Sequence, residues 1–584
     1  MSTTLVEDVR NPDVKHEIDE PMTKKISDSS LGFEADEYIS KFLELSNEAK
    51  DGESKEKSMT LMEGIRTYPK AAMWSVILSS ALIMEGYDTS LLSSLFGFPA
   101  FAKKYGEWDA TANTFVVSPH WQTIIQMCTN VGEIVGLYFA GIVADRIGYR
   151  YTLISALFLT ACFIFIAFFA TNIKMLVAAE FLLGLPWGAF QTLTTTYASE
   201  VCPLVLRVYL TTYVNMCWVF GQLISSGILK GLEGNSQEYA YKIPFAVQWV
   251  WPIPIAIGIY LAPESPWWLV RKGKQDQAKR SLNRLMSENS SVPDKSAVVD
   301  IMVKKMDMTI QAERAEIKHT SYLDCFKGVN FRRTRVAALV WVIQNWSGSA
   351  IMGYSTVFYE QAGLSSSNAF TFTIIQYALG ICGVITSWFL SQKLGRFDIF
   401  FGGLVLQFII LILIGGLGCA SSTGAEWGIG TLLLIFTYVY DSSVGPVCYC
   451  MVTEIPSTLL RAKSVAIARN LYNIAGIFNG LTTSYMVNAK SSGGWGWKAK
   501  TGFFWAGITL IDIVWCWFEL PETKDKTFAE LDALFENHSK ARDFKNAEID
   551  AFDAGRMMEE FGHEGIKNIV EKEEHFISEE NVGS

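Results

Sequence analysis

The chain has 584 residues, half of them hydrophobic, and a formal net charge of −10. The apolar residues fall in blocks of about twenty, enough to cross a hydrocarbon core of roughly 30 Å at 1.5 Å per residue, so an ordinary soluble globular protein is excluded. The ten cysteines sit mostly within apolar segments and form no CxxC pair; no metal centre, disulfide framework or cofactor is expected.

The first seventy residues are polar and acidic. No signal peptide opens the chain, so the first apolar block is expected to act as the insertion signal. Residues 1–70 are expected to be a disordered cytosolic tail, with Lys24 and Lys25 solvated within it. Twelve spans are predicted, at 72–95, 120–144, 151–171, 174–198, 208–231, 244–262, 336–359, 368–391, 398–419, 427–452, 464–487 and 502–520. This is an all-α membrane protein of two six-helix sets, 71–262 and 336–520, joined by a linker at 263–335 and followed by a tail at 521–584. Ala278, Leu282 and Leu285 recur at helical spacing, which predicts amphipathic helices in the linker. The tail after Phe535 is expected to be disordered. Arg271, Lys272, Lys279, Arg280, Arg332, Arg333 and Arg335 crowd the linker, so the positive-inside bias puts both termini in the cytosol.

Three signatures recur between the two sets. Asp145, Arg146, Gly148 and Arg150 follow span two, while Gln392, Lys393, Gly395 and Arg396 follow span eight. Span four leaves through Glu200 and Arg207, and span ten through Glu454 and Arg461. Span six ends in Pro263-Glu264-Ser265-Pro266, and span twelve in Pro521-Glu522-Thr523. Parallel repeats with a site between them are a transporter architecture. Asp145, Arg146, Arg150, Glu200, Arg207, Glu264, Lys393, Arg396, Glu454, Arg461 and Glu522 are expected to latch the two sets on the cytosolic side. Exposed pairs contribute only about 0–1 kcal/mol each, which suits contacts that part in every cycle. The plainer role is to orient loops or touch lipid headgroups. Gln392, standing where the first set has Asp145, predicts a weaker second latch.

These signatures resemble the sugar porter family of the major facilitator superfamily, over residues 70–530. Glu85-Gly86-Tyr87-Asp88, Pro186-Trp187-Gly188, Gln248 to Pro252, Trp267-Trp268 and Gly353 to Thr356 look like the fungal α-glucoside (maltose) permeases. The resemblance implies sugar–proton symport at a plasma membrane. Its partners would be a small sugar, protons and the lipid bilayer, with no nucleic acid.

Four acids lie within the spans: Glu85 and Asp88 about one turn apart on span one, Glu133 on span two and Glu180 on span four. A carboxylate at the bilayer centre costs roughly 2.5–3.5 kcal/mol, so a proton-coupling role is expected for them. The bland alternative is an acid held neutral by a structural hydrogen bond. The family's proton site matches Asp88, but Glu180 stands where many relatives carry an arginine. Two acids placed close together would share a proton rather than both ionise. Family sugar contacts match Asn215 and Gln222 on span five, Gln344, Asn345 and Tyr354 on span seven, Tyr449 on span ten, and Tyr472 and Asn473 on span eleven. Gln191 on span four is a further candidate. Asn215, Asn345, Tyr449 and Asn473 are smaller than the residues usual there, which implies room for a disaccharide. Each of these polar groups has a plainer reading as an interhelical hydrogen bond. Arg469, Asp441 and Asp512 read as structural charges, and Gly184 and Gly188 as close helix packing. An energy-independent hexose facilitator and a transporter-like sugar sensor are the alternatives. No nucleophile–base set points to an enzyme.

Overall fold

Lipid offers no partner for a backbone N–H or C=O, so apolar blocks of this length satisfy their backbone as helices. The computed structural model describes residues 60–109, 114–232, 237–287, 295–316, 321–361, 363–420, 422–488, 490 and 493–547. All twelve predicted segments are helical within it. Among the described residues, nine spans are long and apolar enough to cross a membrane: spans two to six, eight to ten, and twelve.

The other three depart for physical reasons. Span one is split into Pro69–Ser79 and Ala81–Leu95. Span seven is split into Gly328–Trp346, Ser349–Gly353 and Ser355–Gln361, the first break falling at Gly348 with a left-handed φ of 94°. Only glycine adopts that conformation without steric cost. Span eleven, Arg461–Val487, is continuous but carries Arg461, Lys463 and Arg469. These same three spans supply more of the central cavity wall than any others. Their polarity is the counterpart of that position.

Spans two (Pro119–Ile147) and four (Ile173–Val201) meet along Gly132, Gly136, Gly184 and Gly188. A β-carbon on Gly136 would lie 2.0 Å from the Leu185 carbonyl oxygen, and one on Gly188 2.5 Å from that of Glu133. The close packing expected at Gly184 and Gly188 is present, and it brings the backbones that carry Glu133, Glu180 and Gln191 side by side. Spans two and eleven, and spans five and eight, pack across from the first six spans to the last six.

On the face that carries the linker, helix Gln275–Leu285 buries Ala278, Leu282 and Leu285, as the spacing predicts. A longer helix, Lys295–Glu316, packs beside it. Leu61–Thr67 and Phe528–Glu536 each begin with a capping box, Thr60 with Glu63 and Thr527 with Glu530. Residues 61–67 are therefore helical rather than part of a disordered tail, and Phe544 beyond Phe535 is buried against it. Lys24, Lys25 and the remainder of both tails lie outside the described residues. The opposite face carries a hairpin of Glu107–Asp109 with Thr114–Val116, which the sequence pattern did not announce.

Gly188→Val should force spans two and four apart and remove the protein from its monodisperse peak in detergent size-exclusion chromatography. Gly227→Ala, whose β-carbon meets nothing within 4 Å, should leave that peak intact. Equal behaviour of the two variants would contradict the close-packing account.

Candidate functional site

A cavity of about 210 Å³ lies between the two sets of spans. Eight of the nine residues expected to contact sugar line it: Asn215, Gln222, Gln191, Gln344, Asn345, Tyr354, Tyr449 and Tyr472. Asn473 does not. It is fully buried outside the lining, and neither polar atom of its amide finds a hydrogen-bond partner. On span eleven the cavity face runs through Arg469, Tyr472, Gly476 and Asn479, and Asn473 lies off it.

The amides are held by specific contacts. Gln344 Nε2 donates to the Gly445 carbonyl at 2.8 Å, leaving its Oε1 without a partner in the cavity wall. Asn345 Nδ2 donates to the Tyr472 carbonyl at 3.1 Å, and Asn345 Oδ1 accepts from Asn479 Nδ2. The Tyr354 hydroxyl donates to Gln126 Oε1 at 2.5 Å, joining span seven to span two. Asn215 Nδ2 donates to Asp441 Oδ1 at 2.9 Å, joining span five to span ten.

Among the membrane acids, Glu85 and Glu133 line the cavity, whereas Asp88 and Glu180 do not. Gln191 Nε2 donates to Glu85 Oε1 at 2.5 Å, and Gln191 Oε1 accepts from Arg469 Nε at 2.8 Å. Arg469 Nη2 lies 3.8 Å from Glu85 Oε1, and its guanidinium sits 3.9 Å from the Tyr472 ring centre. Glu133 is within reach of both Gln191 and the field of Arg469. Asp88, one turn beyond Glu85, turns instead toward spans four and six. Its Oδ1 accepts from Gln248 Nε2 at 2.6 Å, and its carboxyl group meets that of Glu180 beside Trp187. Thr129 donates to Glu180 Oε2 at 3.4 Å. Asp88 Oδ2 and Glu180 Oε1 have no donor of their own.

Arg469 and Asp441, which the sequence pattern left as structural charges, thus belong to the cavity wall, together with Gln126, Asn130 and Asn479. Arg469, Tyr472, Gly476 and Asn479 follow helical spacing along span eleven, and that stripe was a readable signal. Asp512 is buried away from the cavity and does not pair with Arg469.

The charges on the linker face fall into two groups. Lys463 pairs with Asp145, and Arg461 Nη1 lies 3.8 Å from Glu200 Oε1; both contacts join the first six spans to the last six. Arg271 adds to this bridge, 3.0 Å from Glu200 Oε1 and 3.2 Å from the Thr458 carbonyl. Apart from the stacking of Arg207 on Phe528, the other contacts stay within a set. Glu264 accepts from the backbone N–H groups of Tyr149 and Arg150 at the start of span three, and Glu522 from those of Arg396 and Phe397 at the start of span nine. Each carboxylate caps a helix N-terminus, where the dipole favours negative charge. Burial pushes the Glu264 carboxyl above the usual carboxylate range, and the backbone donors oppose it. Arg396 lies 3.7 Å from Glu454. Arg150 caps the C-terminal end of span six through the Ile259 and Tyr260 carbonyls. Arg207 stacks on Phe528. Arg146 and Lys393 are exposed and make no ion pair among the described residues. The expectation of exposed pairs is corrected at Glu200, Arg461 and Glu454, whose side chains have no exposure.

The family profile "Sugar (and other) transporter" matches residues 74–535. The chain is 46% identical over 516 residues to the maltose permease MAL61 of Saccharomyces cerevisiae, covering 88% of this chain and 83% of that one. It is 43% identical over 563 residues to the alpha-glucosides permease MPH3 of the same yeast, covering 96% and 92%. The fold matches the proton:xylose symporter XylE of the major facilitator superfamily with a TM-score of 0.66 at 19% identity, over 81% of this chain and all of that one. The twelve helices therefore form a major facilitator fold, and the chain belongs to the sugar transporter family, alongside the maltose and α-glucoside permeases of yeast.

Proposed function

We propose that this chain imports α-glucosides such as maltose by proton symport, the sets 71–262 and 336–520 exposing the central cavity to each side in turn. Membership of the family makes it a transporter rather than an enzyme. The observation that carries the proposal is the chain Arg469–Gln191–Glu85, which ties a fixed cation of the last six spans to titratable acids of the first six in the cavity wall. A proton on Glu85 or Glu133 cancels charge that holds Arg469. The two sets then separate at lower cost, and a ligand moves such an equilibrium only by its differential affinity for the two states.

Asp88 and Glu180 supply a second proton position. A hydrogen bond between two carboxyl groups needs one proton between them, and Asp88 Oδ2 and Glu180 Oε1 have no other donor. Gln222, Gln344 and Asn345 offer donors and acceptors for sugar hydroxyls, and Tyr449 and Tyr472 offer ring faces for the C–H surface. The small Asn215, Asn345 and Tyr449 leave space on several walls, which favours a disaccharide over a lone hexose. The Lys and Arg distribution favours a cytosolic linker and cytosolic termini, and the relatives' role as permeases suits the plasma membrane.

Asp88→Asn should abolish accumulation of labelled maltose against a gradient while sparing counterflow. Normal accumulation by that variant would remove Asp88 from the proton path. Gln222→Ala and Gln344→Ala should each raise the half-saturation concentration for maltose about 5- to 150-fold, because a buried unpaired hydroxyl costs about 1–3 kcal/mol. Unchanged half-saturation in both variants, at normal membrane abundance, would move the sugar site elsewhere.

A further inference from the structure

We propose that Phe528 is a positioning residue of the transport cycle, a ring wedged between the gate arginines of the two sets that holds the linker face closed. The inference rests on the alternating-access reading above. Arg207 opens span five and Arg461 opens span eleven, at equivalent places in the repeat. Each guanidinium carbon lies 3.7 Å from the centre of the Phe528 ring. Two guanidinium groups that near one ring centre would collide on a single face, so they occupy opposite faces. Trp267, at the start of the linker, meets the ring edge-on at 5.8 Å and 81°.

The sandwich is dry. Phe528 is 5% exposed, Arg207 3% and Arg461 0%. Arg207 Nε and Nη1 make no hydrogen bond. A buried cation short of hydrogen bonds is costly, and attraction to the negative ring face offsets part of that cost. The ring also separates two cations that would repel each other if they met directly.

The helix that carries the ring is fastened to the last six spans. Arg333, on the first segment of span seven, pairs with Asp532 and lies 4.9 Å from the Phe535 ring centre. Phe528 therefore travels with the second set and reaches across to Arg207 of the first set and Trp267 of the linker. That contact must break whenever the linker face opens. A residue of similar bulk without a π face would fill the space and attract neither cation, so such a substitution separates electrostatic attraction from volume.

The test uses the full chain with its native cysteines replaced and one cysteine placed at Thr453, buried at the linker end of span ten. Maleimide labelling is followed from the linker side in vesicles. Phe528→Leu should speed labelling about tenfold, and Phe528→Tyr should leave it near the parent rate. Arg207→Gln removes the same contact from its other side; it should speed labelling alone and add nothing in the Phe528→Leu background. Parental labelling in Phe528→Leu, equal acceleration in the Leu and Tyr variants, or additive effects with Arg207→Gln would each overturn the proposal. Slowed or hastened labelling of the unaltered reporter by maltose tests the alternating-access reading separately.

Discussion

A guanidinium within a bilayer must find its partners in protein, and the place where Arg469 finds them organises the centre of this molecule. An unpaired charge there costs roughly 2.5–3.5 kcal/mol on insertion scales. Arg469 belongs to span eleven, yet its hydrogen-bond acceptor is Gln191 of span four and its counter-charge is Glu85 of span one. The solvation of one set's cation is thus supplied by the other set, across the cavity proposed to hold the sugar. Gln191 suits the relay because an amide accepts with one end and donates with the other. Any event that neutralises Glu85 weakens what Arg469 gains from staying, which is the proposed link between protonation and movement.

The linker face obeys the same rule with a different outcome. Glu200 is fully buried and faces Arg271, Arg461, the Tyr149 hydroxyl and the Ser265 hydroxyl. Of these partners only Arg461 belongs to the last six spans, so it is the one that the proposed opening would take away. Glu264 and Glu522, by contrast, cap helices within their own sets and stay satisfied as the sets move. The repeated motif therefore does two jobs: some of its charges stiffen each set, and others bind the sets together.

Much of this was legible in the sequence, because the costs that shape a membrane protein leave strong marks. Blocks of about twenty apolar residues gave all twelve helices, the rarity of charge in such blocks pointed to the four acids, and the family resemblance pointed to Gln222 and Gln344. What escaped depended on contacts between distant segments. Arg469 is visible as a charge, but its partners lie in other spans and no local spacing reveals them. Glu85 and Asp88, one turn apart, were expected to act on one face, yet helix packing turns one to the cavity and the other to Glu180. Asn473 was expected from a match to a family sugar-contact position, yet it lies off the face of span eleven that lines the cavity. Phe528 gave no signal, since a phenylalanine in a charged tail resembles any other exposed aromatic until two arginines are seen on its faces.

The central claim, that a proton on the Glu85 cluster is exchanged for movement of sugar, is most directly tested in proteoliposomes carrying a pH-sensitive dye. An inward maltose gradient, with no imposed pH gradient, should acidify the lumen when the parent protein is present. In Glu85→Gln the sugar should still equilibrate while the lumen stays at its starting pH. Acidification that persists in Glu85→Gln, or its absence in the parent while maltose enters, would contradict the account.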